Sequence, residues 1–240
     1  MLRKILMTLK MRGSLNCLED LSRIKGRDEF VQALLQAECN YRHQRALDIG
    51  LKRASFPIDK EWSEIDHMLN PGIDFKSVQA LGSGEFIRKK ENICLMGTQG
   101  TGKSHSLIAL GRQLCDEGFS VKFYTACALV NALEEAKAQL TLNHFMKNIL
   151  KPQLLVIDEL GFVPFTENGA RLLFDVFSRR YEHGSIAVST NLSFEKWVQI
   201  FGSVELTAAL VDSFTHRSHN FVYEGESIRL MEAKKRKRGK

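Results

Sequence analysis

Residues 97–104 read Gly97-Thr98-Gln99-Gly100-Thr101-Gly102-Lys103-Ser104, a complete match to the pattern G-x-x-x-x-G-K-[ST]. In this pattern the glycines let the backbone turn tightly with its N–H groups facing phosphates. The lysine reaches the β- and γ-phosphates, and the last hydroxyl binds Mg²⁺. An apolar run at 92–96 precedes the loop and a helical pattern at 104–115 follows it, as the motif requires. The sequence therefore predicts an ATP or GTP phosphate site at 97–104, in which we include the next residue, His105.

A second motif is an apolar run, Leu154 to Ile157, that ends in Asp158 and Glu159. A buried strand of this kind delivers two acids beside the phosphate loop. We expect Asp158 to hold Mg²⁺ together with Ser104, and Glu159 to polarise the water that attacks the γ-phosphate. The alternative is a strand end capped by solvated charges. The complete phosphate loop favours the catalytic interpretation.

A third apolar run, Ile186 to Ser189, ends in small polar residues. A polar side chain at this point can contact the γ-phosphate or the attacking water, and Asn191 is the candidate. The alternative is that Asn191 starts a turn or caps a helix beginning near Ser193.

The net charge of +6 is concentrated at the end of the chain. Residues 234–240 contain six basic residues and no acid, which leaves 28 basic and 28 acidic residues elsewhere. Such a tail can neutralise nucleic-acid phosphates, or it can be a solvated, disordered end.

The composition predicts a soluble, cytoplasmic protein that makes no membrane contact. No stretch approaches the roughly 18 apolar residues of a membrane span. The five cysteines lack C-x-x-C spacing, so neither a disulfide framework nor a zinc site is indicated. His216 and His219 could share a helix face, but no third ligand is suitably spaced, so we do not predict a metal there.

The chain divides by pattern into three regions. Residues 1–70 are predicted to form a helical domain that binds DNA or a partner, residues 71–232 an ATPase domain, and residues 233–240 a basic tail. Short apolar runs alternate with helical patterns from residue 91 onward, which predicts an α/β domain with a parallel sheet.

Within the first region, Gly13 is expected to break the opening helix, and Asp28-Glu29 to start another. On this second helix a basic arc follows the apolar face, with Arg42, Arg45, Lys52 and Arg53. The helix either presents these cations to a phosphate backbone or breaks near Asn40 with a solvated second half. A linker with packing residues Trp62, Ile65 and Leu69 follows.

The motifs together resemble those of IstB-type AAA+ ATPases, which are encoded beside the IstA transposase in bacterial insertion sequences and are similar to DnaC helicase loaders. The resemblance rests on G-x-x-G-T-G-K-S, L-L-V-I-D-E-L, S-R-R-Y-E-x-G-S, S-T-N-L and G-E-S-I-R-L. It extends upstream to Leu34-Leu35-x-Ala37-Glu38-x-x-Tyr41-Arg42, which is similar to that family's N-terminal domain.

The resemblance implies a P-loop AAA+ core with ATP sites between neighbouring subunits of a homo-oligomer. It implies ATP and Mg²⁺ as cofactors, and ATP-dependent assembly on duplex DNA that prepares a target for an IstA-like transposase. On matching positions it assigns phosphate binding to 97–104, metal and water roles to Asp158 and Glu159, and a sensor role to Asn191.

One position departs from the family pattern. Members usually carry an Asp-Arg pair before the last strand, and this arginine reaches the neighbouring subunit's ATP site. Here Ser213 follows Asp212. Arg217 and Arg180 are the candidate substitutes, with surface salt bridges as the alternative for both. Without such an arginine, hydrolysis is expected to be slow, by about 10³-fold or more.

Three functions follow as hypotheses. The first is the transposition helper, and the second is a helicase loader that uses ATP to time its release from a replicative helicase. The third is a protein that binds nucleotide and hydrolyses it negligibly.

Overall fold

The computed structural model describes residues 1–65, 72–228 and 230–231. The chain forms two compact units, residues 1–50 and residues from 51 onward. Within the described residues, none of the helices combines the length and apolar character that a membrane-spanning segment needs. The basic tail and Leu69 lie outside the described residues.

The larger unit is built on a parallel sheet, as the alternating pattern predicts. In the described part of the chain the sheet has five strands in the order β2-β3-β4-β1-β5. The strands are β1 (Asn92–Gly97), β2 (Val121–Thr125), β3 (Leu154–Leu160), β4 (Ser185–Thr190) and β5 (Ser218–Tyr223). The carboxyl ends of the neighbouring strands β3, β4 and β1 therefore meet at one edge, where ligands of open α/β sheets bind.

Helices connect the strands. The smaller unit contains α1 (Leu2–Thr8), α2 (Arg12–Asn16), α3 (Leu18–Leu21) and the start of α4 (Arg27–Ala54). The larger unit contains α5 (Phe75–Ala80), α6 (Glu85–Arg88), α7 (Lys103–Asp116), α8 (Ala126–Ala138), α9 (Leu142–Leu150), α10 (Glu167–Arg180), α11 (Val198–Phe201) and α12 (Val204–Thr215). Single 3-10 turns lie at Trp62–Glu64, Leu81–Ser83 and Phe194–Trp197.

The central strands are buried on both faces. In β3, Leu154 and Val156 on one face and Leu155 and Ile157 on the other are fully buried. The second pair belongs to a cluster with apolar residues of α8, α10 and α12, and α7 contacts β3 as well. Continuous apolar runs are typical of strands covered by helices on both sides, which is why these four residues mark the strand so clearly.

The smaller unit corrects one expectation about helix breaks and decides between two alternatives for another. Gly13 lies inside α2, and the chain turns instead at Lys10, whose φ is 56°. The helix α4 runs unbroken past Asn40, which accepts a 2.8 Å hydrogen bond from Gln36 one turn earlier. Side-chain pairs at this spacing support a helix, so the proposed break near Asn40 does not occur.

Residues 51–65 belong to the larger unit, although the sequence suggested a boundary at residue 70. Hydrogen bonds and ion pairs between side chains fasten this segment to α7. Trp62 Nε1 donates to Gln113 Oε1 at 2.9 Å, and Arg112 pairs with Asp59 and with Glu61, the latter at 3.1 Å. The assignment of residues 1–70 to DNA or partner binding remains a prediction.

Candidate nucleotide site

The phosphate loop lies between the end of β1 and the start of α7. Gly97 has φ 144°, and a Cβ there would lie 2.1 Å from the carbonyl oxygen of Tyr223. Gly102 precedes the first residue of α7 with φ 101°. Only glycine adopts both conformations without strain, and the loop turns directly into a helix N-terminus, where backbone N–H groups favour anions.

Lys103 is held at the loop by main-chain oxygens. Its Nζ donates to Gly97 O at 2.8 Å and to Thr98 O at 2.6 Å. Burial lowers the pKa of Lys103 to about 8, although nearby Asp158 opposes the shift. A cation in this position is suited to phosphate oxygens that enter the loop.

Ser104, in the first turn of α7, contacts Asp158, near the carboxyl end of β3. Ser104 Oγ donates to Asp158 Oδ1 at 2.9 Å, and Asp158 is buried at 5% exposure. A hydroxyl beside a carboxylate forms the hard oxygen donor set that Mg²⁺ prefers. The two residues therefore fit the metal that the sequence assigns to them.

Glu159 is exposed, in contrast to its neighbour Asp158. The β3–β4 register shifts between Ile157 and Leu160, and Glu159 has φ 61°. A bulge of this kind re-aims side chains and is common beside active sites. The irregular backbone therefore sends Asp158 into the protein and leaves Glu159 accessible.

Ser189 links the two acids, a contact that the sequence patterns did not reveal. Its Oγ accepts from the backbone N–H of Glu159 at 2.9 Å and donates to Asp158 Oδ1. Asn191 is exposed and lies one residue beyond β4. The register of parallel strands is the signal that could have identified Ser189, because β3 and β4 end side by side.

An open cavity of about 330 Å³ lies at this edge of the sheet. Its lining includes parts of the loop, Glu159 and Ser189, but not Asn191. One wall comes from residues 58–65, which the sequence treated as a linker. The residues of that wall are Ile58, Lys60, Glu64 and Ile65.

His105 also lines the cavity, and it fixes this wall. Its Nε2 lies 2.9 Å from the carbonyl oxygen of Glu61. The side chain thus joins the start of α7 to the segment that faces the phosphate loop.

Arg180 does not fit the role of an arginine that reaches a neighbouring subunit. It is 1% exposed and donates to four main-chain oxygens, those of Ile149, Pro152, Gln153 and Ser185. Burial lowers its pKa to about 10. The guanidinium ties α10 to the ends of α9 and β4, so we withdraw it as a candidate.

Arg217 is exposed and lies at the opposite edge of the sheet from its own loop. Its carbonyl accepts from Asn92 N at 2.7 Å, and Ser218 pairs with Asn92 while Tyr223 pairs with Gly97. At about 3.3 Å per residue, the length of β1 puts roughly 16 Å between the two edges. Any contact of Arg217 with a phosphate loop would therefore involve another subunit.

The neighbourhood of Arg217 differs in part from the sequence expectation. Ser213 Oγ donates to Leu210 O within α12 at 2.9 Å. His216 follows the end of α12, whereas His219 lies in β5 beside Glu91, with Nε2 and Oε2 2.9 Å apart. The two histidines therefore do not share a helix face.

Comparison with known proteins confirms the resemblance seen in the motifs. A family model described as IstB-like ATP binding protein matches residues 14–237. A Pseudomonas aeruginosa protein named for ATP binding in insertion sequence IS21 is 37% identical over 207 residues, covering 86% of this chain and 78% of its own. A Geobacillus stearothermophilus protein named likewise for IS5376 is 36% identical over 204 residues, covering 85% and 81%.

Solved structures share the fold at low sequence identity. AMPPCP-bound DnaA from Aquifex aeolicus matches with a TM-score of 0.59 at 20% identity, covering 77% of this chain and 56% of its own. A crystal structure of DnaI matches with a TM-score of 0.54 at 18% identity, covering 70% and 89%. These likenesses confirm the predicted α/β fold with its parallel sheet.

Proposed function

Because the chain belongs to the family of IstB-like ATP-binding proteins, we propose that it is an ATP-hydrolysing transposition helper that oligomerises on duplex DNA. In this role it prepares the target DNA or delivers it to a partner transposase of the IstA kind. The insertion-sequence origin of its relatives supports such a partner. The observation that carries the proposal is the meeting of Lys103, Ser104, Asp158 and Glu159 at one edge of the sheet.

Hydrolysis is assigned to the groups around the cavity. The loop N–H groups and Lys103 bind the β- and γ-phosphates, and the exposed carboxylate of Glu159 orients the attacking water and accepts its proton. The hydrogen bond from the Glu159 N–H to Ser189 Oγ supports this geometry, because it fixes the backbone that carries the carboxylate.

Ser104 and Asp158 would hold Mg²⁺, since their hydroxyl and carboxylate oxygens already lie 2.9 Å apart. When bound, the ion neutralises charge on the phosphates as the transition state forms. The buried position of Asp158 beside Ser189 keeps this carboxylate fixed for that task.

Assembly is proposed to complete the site. Arg217 at the far edge of one subunit reaches the phosphate loop of the next, where its charge stabilises the transition state. Its exposure and its distance from its own loop support action between subunits. Nucleotide binding and oligomer formation are then coupled, which makes the ATPase a switch.

Sedimentation of the full chain with long duplex DNA tests this function. With ATP we expect duplex-bound multimers whose size grows with duplex length, and with ADP we expect them to dissociate. Glu159→Gln should keep the multimers with ATP, because it removes the base and leaves phosphate binding intact. Absence of duplex-bound multimers in every nucleotide state at low salt contradicts the proposal and favours a helicase-loader function.

A further inference from the structure

The smaller unit contains a basic groove that is separate from the nucleotide site. Its volume is about 440 Å³. Four cationic side chains and one carboxylate line it, together with Met7, Leu15 and Tyr41. The cations are Lys10, Arg12, Arg42 and Arg45, and the carboxylate is Glu38.

The groove results from the way α2 packs on α4. Gly13 lies so close to α4 that a Cβ would be 2.5 Å from Ala37 O and 2.5 Å from Tyr41 Cβ. Ser14 Oγ donates to Leu34 O at 2.7 Å. This contact brings Lys10, from the turn before α2, and Arg12, the first residue of α2, to the part of α4 that carries Arg42 and Arg45.

Glu38 holds the fold together and offsets only one of the groove's four positive charges. It accepts from the backbone N–H groups of Gly13 at 2.7 Å and Ser14 at 3.3 Å, and from Arg42 Nε at 2.7 Å. Burial raises its pKa, but the bonds from Arg42 and the two backbone N–H groups outweigh burial and lower it. The carboxylate therefore stays ionised while holding α2 in place.

The remaining cations face solvent. Lys10, Arg12 and Arg45 are exposed, and no acid among the described residues forms an ion pair with them. Arg42 uses only Nε toward Glu38, so its terminal amino groups take no part in that bond. Three of the four cations are arginines, whose planar N–H groups match phosphate oxygens in pairs.

We propose that this groove binds the phosphate backbone of duplex DNA through Lys10, Arg12, Arg42 and Arg45. The inference rests on the proposed function and assigns its DNA contact to residues on α2, on α4 and in the turn before α2. It also revises the basic arc read from sequence, because Lys52 and Arg53 do not line the groove and Lys10 and Arg12 do. Tyr41 adds a hydroxyl of the kind that often contacts phosphate or sugar.

The test compares two double variants of the full chain with equal charge change. Arg12→Gln with Arg45→Gln removes two groove cations and spares Arg42, which supports Glu38. Arg23→Gln with Lys25→Gln removes two exposed cations of the same unit that do not line the groove. Duplex affinity is measured with ATP over a range of salt concentrations, with unfolding temperature and DNA-free ATP turnover as checks.

Each phosphate contact contributes about 0.9 to the slope of log affinity against log salt. The groove variant should therefore lose about 1.8 of slope and bind roughly ten- to a hundredfold more weakly at moderate salt, whereas the control should match wild type. If the two variants behave alike while wild type binds, the groove assignment is wrong and the proposed function stands. If wild type binds no duplex in any nucleotide state, both fail.

Discussion

At the scale of single residues, the candidate site contains a serine, Ser189, that forms hydrogen bonds with both acidic residues. Ser189 holds the backbone of Glu159, whose φ of 61° is unusual for a residue with a side chain, and also bonds to Asp158. A strained conformation persists only where its surroundings determine it. We infer that Ser189 is a positioning residue, which acts through Glu159 and Asp158.

Ser189→Ala should lower kcat for ATP hydrolysis by about tenfold to a hundredfold, because the backbone carrying Glu159 loses its anchor. ATP affinity should change little, since the loop and Lys103 are untouched. Steady-state turnover and nucleotide titration measure the two quantities separately.

Ser185→Ala is the matched control, a buried serine of the same strand whose Oγ has no partner among the described residues. It should leave kcat at the wild-type value. An equal loss of kcat in both variants would attribute the effect to the strand and not to the contacts of Ser189.

Arg180 has a structural role, because its buried guanidinium donates hydrogen bonds to main-chain oxygens. Arg180→Ala should lower the free energy of unfolding by at least about 3 kcal/mol, because several buried carbonyl groups lose their donor. Arg179→Ala, which removes an exposed pair with Asp175, should cost under about 1 kcal/mol. Urea unfolding of both variants checks this, and similar small losses would contradict the structural role.

At the scale of elements, the two motifs and four strands could be predicted because their signals are local. Apolar runs mark β1 to β4, and glycine spacing marks the loop. The edge strand β5 begins with the polar residues Ser218, His219 and Asn220 and has a shorter apolar run, 221–223, since only part of it is buried. Long-range packing brings the wall formed by Ile58 and Ile65 to the cavity, and no local pattern encodes it. Ser189 reaches the cavity through the pairing of β3 with β4, which strand register could have indicated.

The position of Gly13 shows the same limit. Read along the sequence it suggests a helix break, but its actual role is close packing of α2 on α4. Gly13→Ala should destabilise the smaller unit by about 1–3 kcal/mol, the usual range for overpacking. Hydrogen exchange of α2 peptides measures the change.

Gly72→Ala serves as the control, because a Cβ at Gly72 meets no atom of the described residues within 4 Å. Exchange in α2 should then stay at the wild-type rate. Unchanged α2 exchange in Gly13→Ala would show that this contact is looser than the structure indicates.

At the scale of the whole molecule, the phosphate loop and Arg217 lie at opposite edges of the sheet, too far apart to meet at one ATP within one subunit. The phosphate loop and Glu159 lie at the carboxyl edge, and Arg217 lies at the amino edge. Under the proposed function, a chain built this way hydrolyses ATP efficiently only when copies stand side by side. We propose that this shared site couples the bound nucleotide to assembly, because each ATP is contacted by two subunits.

Mixing two inactive variants tests the shared site most directly. Glu159→Gln and Arg217→Ala should each lose most ATP turnover on duplex DNA, by about 10³-fold or more for the arginine. A mixture should regain turnover, because Arg217 of the first variant then meets Glu159 of the second at some of the junctions. A mixture no more active than its separate components would contradict the shared site.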